Sequence, residues 1–157
     1  MTKRTPSFER ILTPSDTPNP EPTDDRGVLR GAEIDAVIEL GYLMANADGD
    51  ASFDELESFR ALVKYLKPSA KVGDVLDELA EKLEKAESIE ERVRALAPHL
   101  TRATARELAY KAVYTIAVFD LETNEEERDL DDLIVEVLGL DKRVDELESE
   151  VNTAMNG

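Results

Sequence analysis

Ala47-Asp48-Gly49-Asp50-Ala51-Ser52-Phe53-Asp54-Glu55 reads as a corner between two helices, and the chain carries such a corner twice. A shift of 72 residues lays it on Phe119-Asp120-Leu121-Glu122-Thr123-Asn124-Glu125-Glu126-Glu127. Each copy has an acid at the end of one helix and a second acid two residues later. Each then has a capping residue, Ser52 or Asn124, with a glutamate three positions on, Glu55 or Glu127. That pattern is a capping box, in which side chains satisfy the free N–H groups of a helix start. The apolar residues ahead of the corner also match, Met44-Ala45 falling on Ile116-Ala117. Register loosens afterwards, where Leu56 falls on Arg128.

Working outward, every segment with a pattern has the helical one. Ile34, Val37, Ile38, Gly41, Met44 and Ala45 recur at three- and four-residue spacing and predict a helix over about 29–47. From Ser52, a second helix presents Leu56, Phe59, Leu62, Val63 and Leu66 and stops at Pro68. Val72, Val75, Leu76, Leu79 and Leu83 mark a third. Ser88 with Glu91 caps a short fourth, ended by Pro98. A fifth, starting at Thr104 or Thr101, carries Leu108, Ala112, Val113, Ile116 and Ala117. Asn124 opens a sixth, with Leu130, Leu133, Ile134, Val137 and Leu138 inward and Gly139 at its end. Leu140, Val144, Leu147 and Val151 make a seventh. No stretch alternates with period two, so the expected fold is all-α, a compact seven-helix domain of antiparallel neighbours with an internal pseudo-two-fold repeat.

Ahead of the domain the composition changes. Five of the seven prolines, Pro6, Pro14, Pro18, Pro20 and Pro22, fall in the first 22 residues. Residues 1–27 therefore read as a disordered, proline-rich tail, and 28–157 as the domain. The run Phe8–Leu12, FERIL, reads either as a tail cluster without a role or as a docking peptide.

The net charge is −17, from 36 acidic and 19 basic residues. Residues 1–30 hold five of each sign, so the whole excess lies on residues 31–157. Such a surface repels nucleic acid and anionic membrane, and favours cations or basic protein partners. The absence of cysteine excludes thiolate metal sites, disulfides and cysteine nucleophiles. The single histidine, His99, excludes a two-histidine zinc set. No apolar run is long enough to span a membrane, and the first residues lack a signal-peptide core, so a cytoplasmic protein without membrane insertion is expected. No phosphate-binding glycine loop or nucleophile elbow is present, and the expectation is a protein that is not an enzyme.

The corner acids divide into two groups. Asp54, Glu55, Glu125, Glu126 and Glu127 lie in first helical turns, where capping and the helix dipole account for them. Asp48, Asp50, Asp120 and Glu122 precede the caps, and Asp48 and Asp120 lie near helix C-termini, which disfavour negative charge. Paired carboxylates in a tight corner can converge on one hard cation, with carbonyls and water completing the shell. Solvated acid with capping is the competing account. An EF-hand does not fit. Asp48, Asp50, Ser52 and Asp54 have its spacing, but Phe53 stands in place of the turn glycine and Phe59 in place of the bidentate glutamate.

ADGDASFDE, following an apolar helix and preceding FRALVKYL, resembles the A-D-G-x-x-S-x-x-E signature of the tellurite-resistance TerB family and the wider TerB-like superfamily. FDLETNEEE, before DLDDLIVEVLGL, is similar to the family's second and more degenerate corner. The resemblance spans about 31–155. It implies an all-helical, pseudo-symmetric, cytoplasmic protein of stress response, tellurite resistance included. It further implies divalent metal (Ca, Mg or Mn) held by Asp48, Asp50, Glu55, Asp120, Glu122 and Glu127, and a protein partner in a membrane-associated complex. Leu121 replaces the glycine of the second corner, and the proline-rich tail is outside the family pattern. The alternative function is a metal-free interaction module that uses the acidic surface.

Overall fold

The structure, a computed structural model, describes residues 8–12, 29, 31–47, 53–119 and 125–156. Among them are eight α-helices and no strand. In chain order these are α1 (Phe8–Ile11), α2 (Gly31–Ala45), α3 (Phe53–Leu66), α4 (Val72–Lys85), α5 (Ile89–Leu96), α6 (Ala103–Phe119), α7 (Glu125–Leu138) and α8 (Val144–Asn156). A 3-10 turn, Ala97–His99, links α5 to α6. The seven helices α2 to α8 are those expected of the domain.

The terminators follow from local chemistry. The Ser88 hydroxyl accepts the Glu91 N–H at 3.1 Å, and the Glu91 carboxylate accepts the Glu87 N–H at 3.0 Å. This satisfies two N–H groups at the start of α5. Gly139 has φ +69° after α7, while Leu140 N–H bonds Val135 C=O at 2.9 Å and Gly139 N–H bonds Glu136 C=O at 3.2 Å. These two bonds form a Schellman stop, which needs the left-handed conformation that glycine takes without strain. The start of α6 differs from expectation. It begins at Ala103, with Arg106 N–H bonded to Arg102 C=O at 3.1 Å, so Thr104 lies inside the helix and Thr101 ahead of it. Arg102 at this boundary is fixed by its guanidinium, which grips Glu33 of α2 at 2.6 and 2.9 Å.

Helices α2 and α6 form the centre, and each packs more extensively on the other than on any other helix. Every residue from Ala36 to Ala45 is buried. Gly41 marks the close approach: a Cβ there would stand 2.9 Å from Leu62 Cδ2 of α3 and 3.0 Å from Ile116 Cδ1 of α6. Gly41 and Ile116 both lie about one turn before their helices end. The ends of α2 and α6 from which the two acidic corners depart are therefore neighbours. The pairs α2–α3 and α6–α7 are the two halves of the repeat.

Glu39 and Lys111 enter this core as members of ion pairs. Glu39 of α2, 3% exposed, receives Arg92 of α5 in two bonds at 2.5 and 2.9 Å. Lys111 of α6, also 3% exposed, pairs with Glu150 of α8 at 2.5 Å. Each pair ties an outer helix to a central one, and removing either partner would strand a charge in low dielectric. By contrast α4 buries only Leu79 and carries exposed pairs such as Lys85–Glu81, which contribute little.

Within the expected tail, the structure describes only Phe8–Leu12, and this run is packed on the domain. Its apolar side chains lie against α3, α6 and α8. The remainder of residues 1–27 lies outside the described residues.

Candidate functional site

Of the six acids expected to hold metal, Asp48, Asp50, Asp120 and Glu122 lie outside the described residues, as do the caps Ser52 and Asn124. The other two are placed. Glu55 is at the third position of α3 and Glu127 at the third position of α7. Both are buried, at 4% and 2% exposure, whereas Glu125 and Glu126 in the same first turn as Glu127 are exposed. The pseudo-symmetry therefore extends to burial: each corner sends its third helical glutamate inward.

Around Glu127 the structure opens a pocket of about 540 Å³. Its floor is Ala117 and Val118 from the end of α6, with Tyr114 one turn earlier. Glu127, Asp131 and Asp132 enter from α7 and Glu148 from α8, with Arg128 as the one cation of the lining. The helical period explains the first two, since Glu127 and Asp131 are four apart and share a face. Four carboxylates against one guanidinium make the pocket strongly negative.

Tyr110 of α6 joins these acids from below. Its ring is fully buried, and its hydroxyl lies 2.7 Å from Glu148 Oε2 and 3.2 Å from Asp131 Oδ2. A buried tyrosine keeps its O–H only with an acceptor, and two carboxylates compete for this single proton. Burial and the adjoining carboxylates push the phenol far above its ordinary value, so it stays a donor. Burial likewise raises Asp131 from 3.8 to about 6; the Tyr110 bond opposes the rise, and the charges of Glu148 and Asp132 add to it. Asp131 Oδ1 is buried with no hydrogen-bond partner. Tyr114 stacks on Tyr110 at 6.0 Å and 22°, and its hydroxyl accepts Asn152 of α8 at 3.3 Å.

Hard oxygen donors of this kind suit Ca, Mg or Mn rather than softer metals. Among the described residues, however, no three His, Asp or Glu side chains converge closely enough to hold an ion by themselves. Tyr110, Asp131 and Glu148 were not singled out from the sequence. A tyrosine among the core residues of a central helix was the available signal, because its hydroxyl must find a partner. His99 lies exposed in the 3-10 turn, at a distance in the chain from both corners.

Comparison with known families agrees with this architecture. The family model described as tellurite resistance protein TerB matches residues 34–147, which takes in both corners, α3 to α7 whole, most of α2 and the start of α8. Comparison with curated proteins and with solved structures found no match. Among the described residues, no helix is long and apolar enough to cross a membrane.

Proposed function

The chain belongs to the TerB family, and on that premise we propose that it is a non-enzymatic, cytoplasmic stress-response protein that binds a divalent cation at its acidic corners. The observation that carries the reading is the acid-lined pocket beside the second corner, where Glu127, Asp131, Asp132 and Glu148 face one space. Carboxylates gathered on one space repel each other, and a divalent ion is the simplest species that relieves the repulsion. The caps leave Asp48, Asp50, Asp120 and Glu122 without a structural task. Those four, with Glu55 and Glu127, remain the ligand candidates. The stress addressed includes tellurite, and the protein acts with a protein partner in a membrane-associated complex.

Calorimetric titration with Ca, Mg and Mn tests this. The wild type should bind at least one of them with saturation below about 1 mM. The variants Asp48→Asn/Asp50→Asn and Asp120→Asn/Glu122→Gln should each weaken that binding by about tenfold or more. A wild type that shows no saturable heat with any of the three ions sinks the metal reading.

A second reading has its own observation. Residues 31–157 hold the whole net charge of −17, and most of their described acids are exposed. That favours an interaction module whose acidic face recognises a basic partner without metal.

A further inference from the structure

Phe8, Ile11 and Leu12 are 2%, 2% and 5% exposed, as buried as the centre of the domain. A helix of four residues has no stability of its own in water. Its order comes from the surface it lies on, formed by α3, α6 and α8. The spacing i, i+3, i+4 is the one by which short helices enter apolar grooves. The run lies ahead of the matched family region, residues 34–147. It is joined to the domain through residues 13–28, which include Pro14, Pro18, Pro20 and Pro22. Charge points the same way. Residues 3–12 carry Lys3, Arg4 and Arg10 against Glu9, whereas residues 31–157 hold the net −17.

From this geometry we infer that the groove between α3, α6 and α8 is a peptide-binding site, and that Phe8–Leu12 occupies it as a tethered ligand. The partner that takes the groove in trans is a basic protein segment that becomes helical on docking, with an aromatic residue followed at the third and fourth positions by aliphatic ones. The tether holds the chain's own segment at an effective concentration in the millimolar range. A partner therefore enters when it binds more tightly or when the tethered segment is drawn away. The inference does not rest on metal at the corners, because its observations are the burial of Phe8, Ile11 and Leu12 and their packing on α3, α6 and α8.

The test uses the full chain with a protease site placed between Pro14 and Pro22 and a labelled peptide of residues 3–14 as probe. Before cleavage the peptide should bind weakly. After cleavage and dilution it should bind saturably and at least about tenfold more tightly, since the cis competitor is lost. A peptide carrying Phe8→Ala should bind about tenfold or more weakly than the unaltered peptide. Raising salt should weaken binding, as expected of basic flanks on an acidic domain. A fragment that never exchanges, or a clipped protein that loses its helical circular dichroism as the fragment leaves, overturns the inference. Either outcome would make the segment part of the fold. The uncleaved Phe8→Asp chain supplies an independent arm. Saturable uptake of the peptide supports the groove, whereas a folded variant that takes up none, or a variant that does not fold, counts against it.

Discussion

Asp131 is held between a donor it shares and neighbours that repel it. Its carboxylate accepts from Tyr110 while Glu148 competes for the same proton, and burial raises it to about 6. An acid whose folded value is raised destabilises the fold once it ionises. The cost is absent below the unfolded value near 4, grows between about 4 and 6, and is complete above about 6. Asp131→Asn keeps the shape and removes the charge. It should raise Tm at pH 7.5 by a few degrees over the wild type and leave the difference near zero at pH 4. Thermal melts at the two pH values check this, and an equal gain at both would exclude ionisation as the cause. None of this was legible in the sequence. Tyr110, Asp131 and Glu148 are separated by 21 and 38 residues and come from three helices. Glu55 and Glu127 could be singled out because their signal is local: each stands three residues after a residue of capping type, Ser52 or Asn124.

At the scale of the element, helices that bury one face were read nearly whole. The stripes of α3, α4 and α7 place Phe59, Leu62, Leu79, Leu130 and Ile134 inward, as the structure does. The central pair was read only as faces, although both helices are buried almost all round. Glu39 in α2 and Lys111 and Thr115 in α6 interrupt their apolar pattern, and each is tolerated through a partner the sequence does not reveal. For Glu39 that partner is Arg92; for Lys111 it is Glu150; Thr115 donates its hydroxyl to the Lys111 carbonyl at 2.7 Å within its own helix. The stop of α7 was legible because only one residue type serves it cheaply. Gly139 is exposed, with nothing within 4 Å of an added Cβ, so substitution there isolates the backbone term. Gly139→Ala should cost about 1 kcal/mol in urea unfolding, and Gly139→Asn distinctly less. Equal losses would point to a side-chain effect instead.

For the whole molecule, the excess of acid over base sets the response to solvent. Net charge of −17 on a domain of this size makes the compact state repel itself. Raising NaCl from about 20 mM to about 0.5 M should therefore raise Tm, because screening weakens that repulsion more than it weakens the exposed ion pairs. A Tm that falls over this range would mean that the ion pairs, not the excess acid, dominate. A divalent cation that raises Tm further at matched ionic strength would mark binding beyond screening, and the corner variants should lose that increment.

The pairing of α2 with α6 also bears on how the chain meets the ribosome. Helix α2 is complete at Ala45, yet the helix that covers it most ends at Phe119. At translation rates of 5–20 residues per second, the roughly 70 intervening residues take about 4–15 s to emerge. Throughout that interval the segment from Ala36 to Ala45 lacks its principal neighbour. The nascent chain thus keeps this apolar segment without its main cover over a defined window, one that closes when the second half of the repeat leaves the exit tunnel.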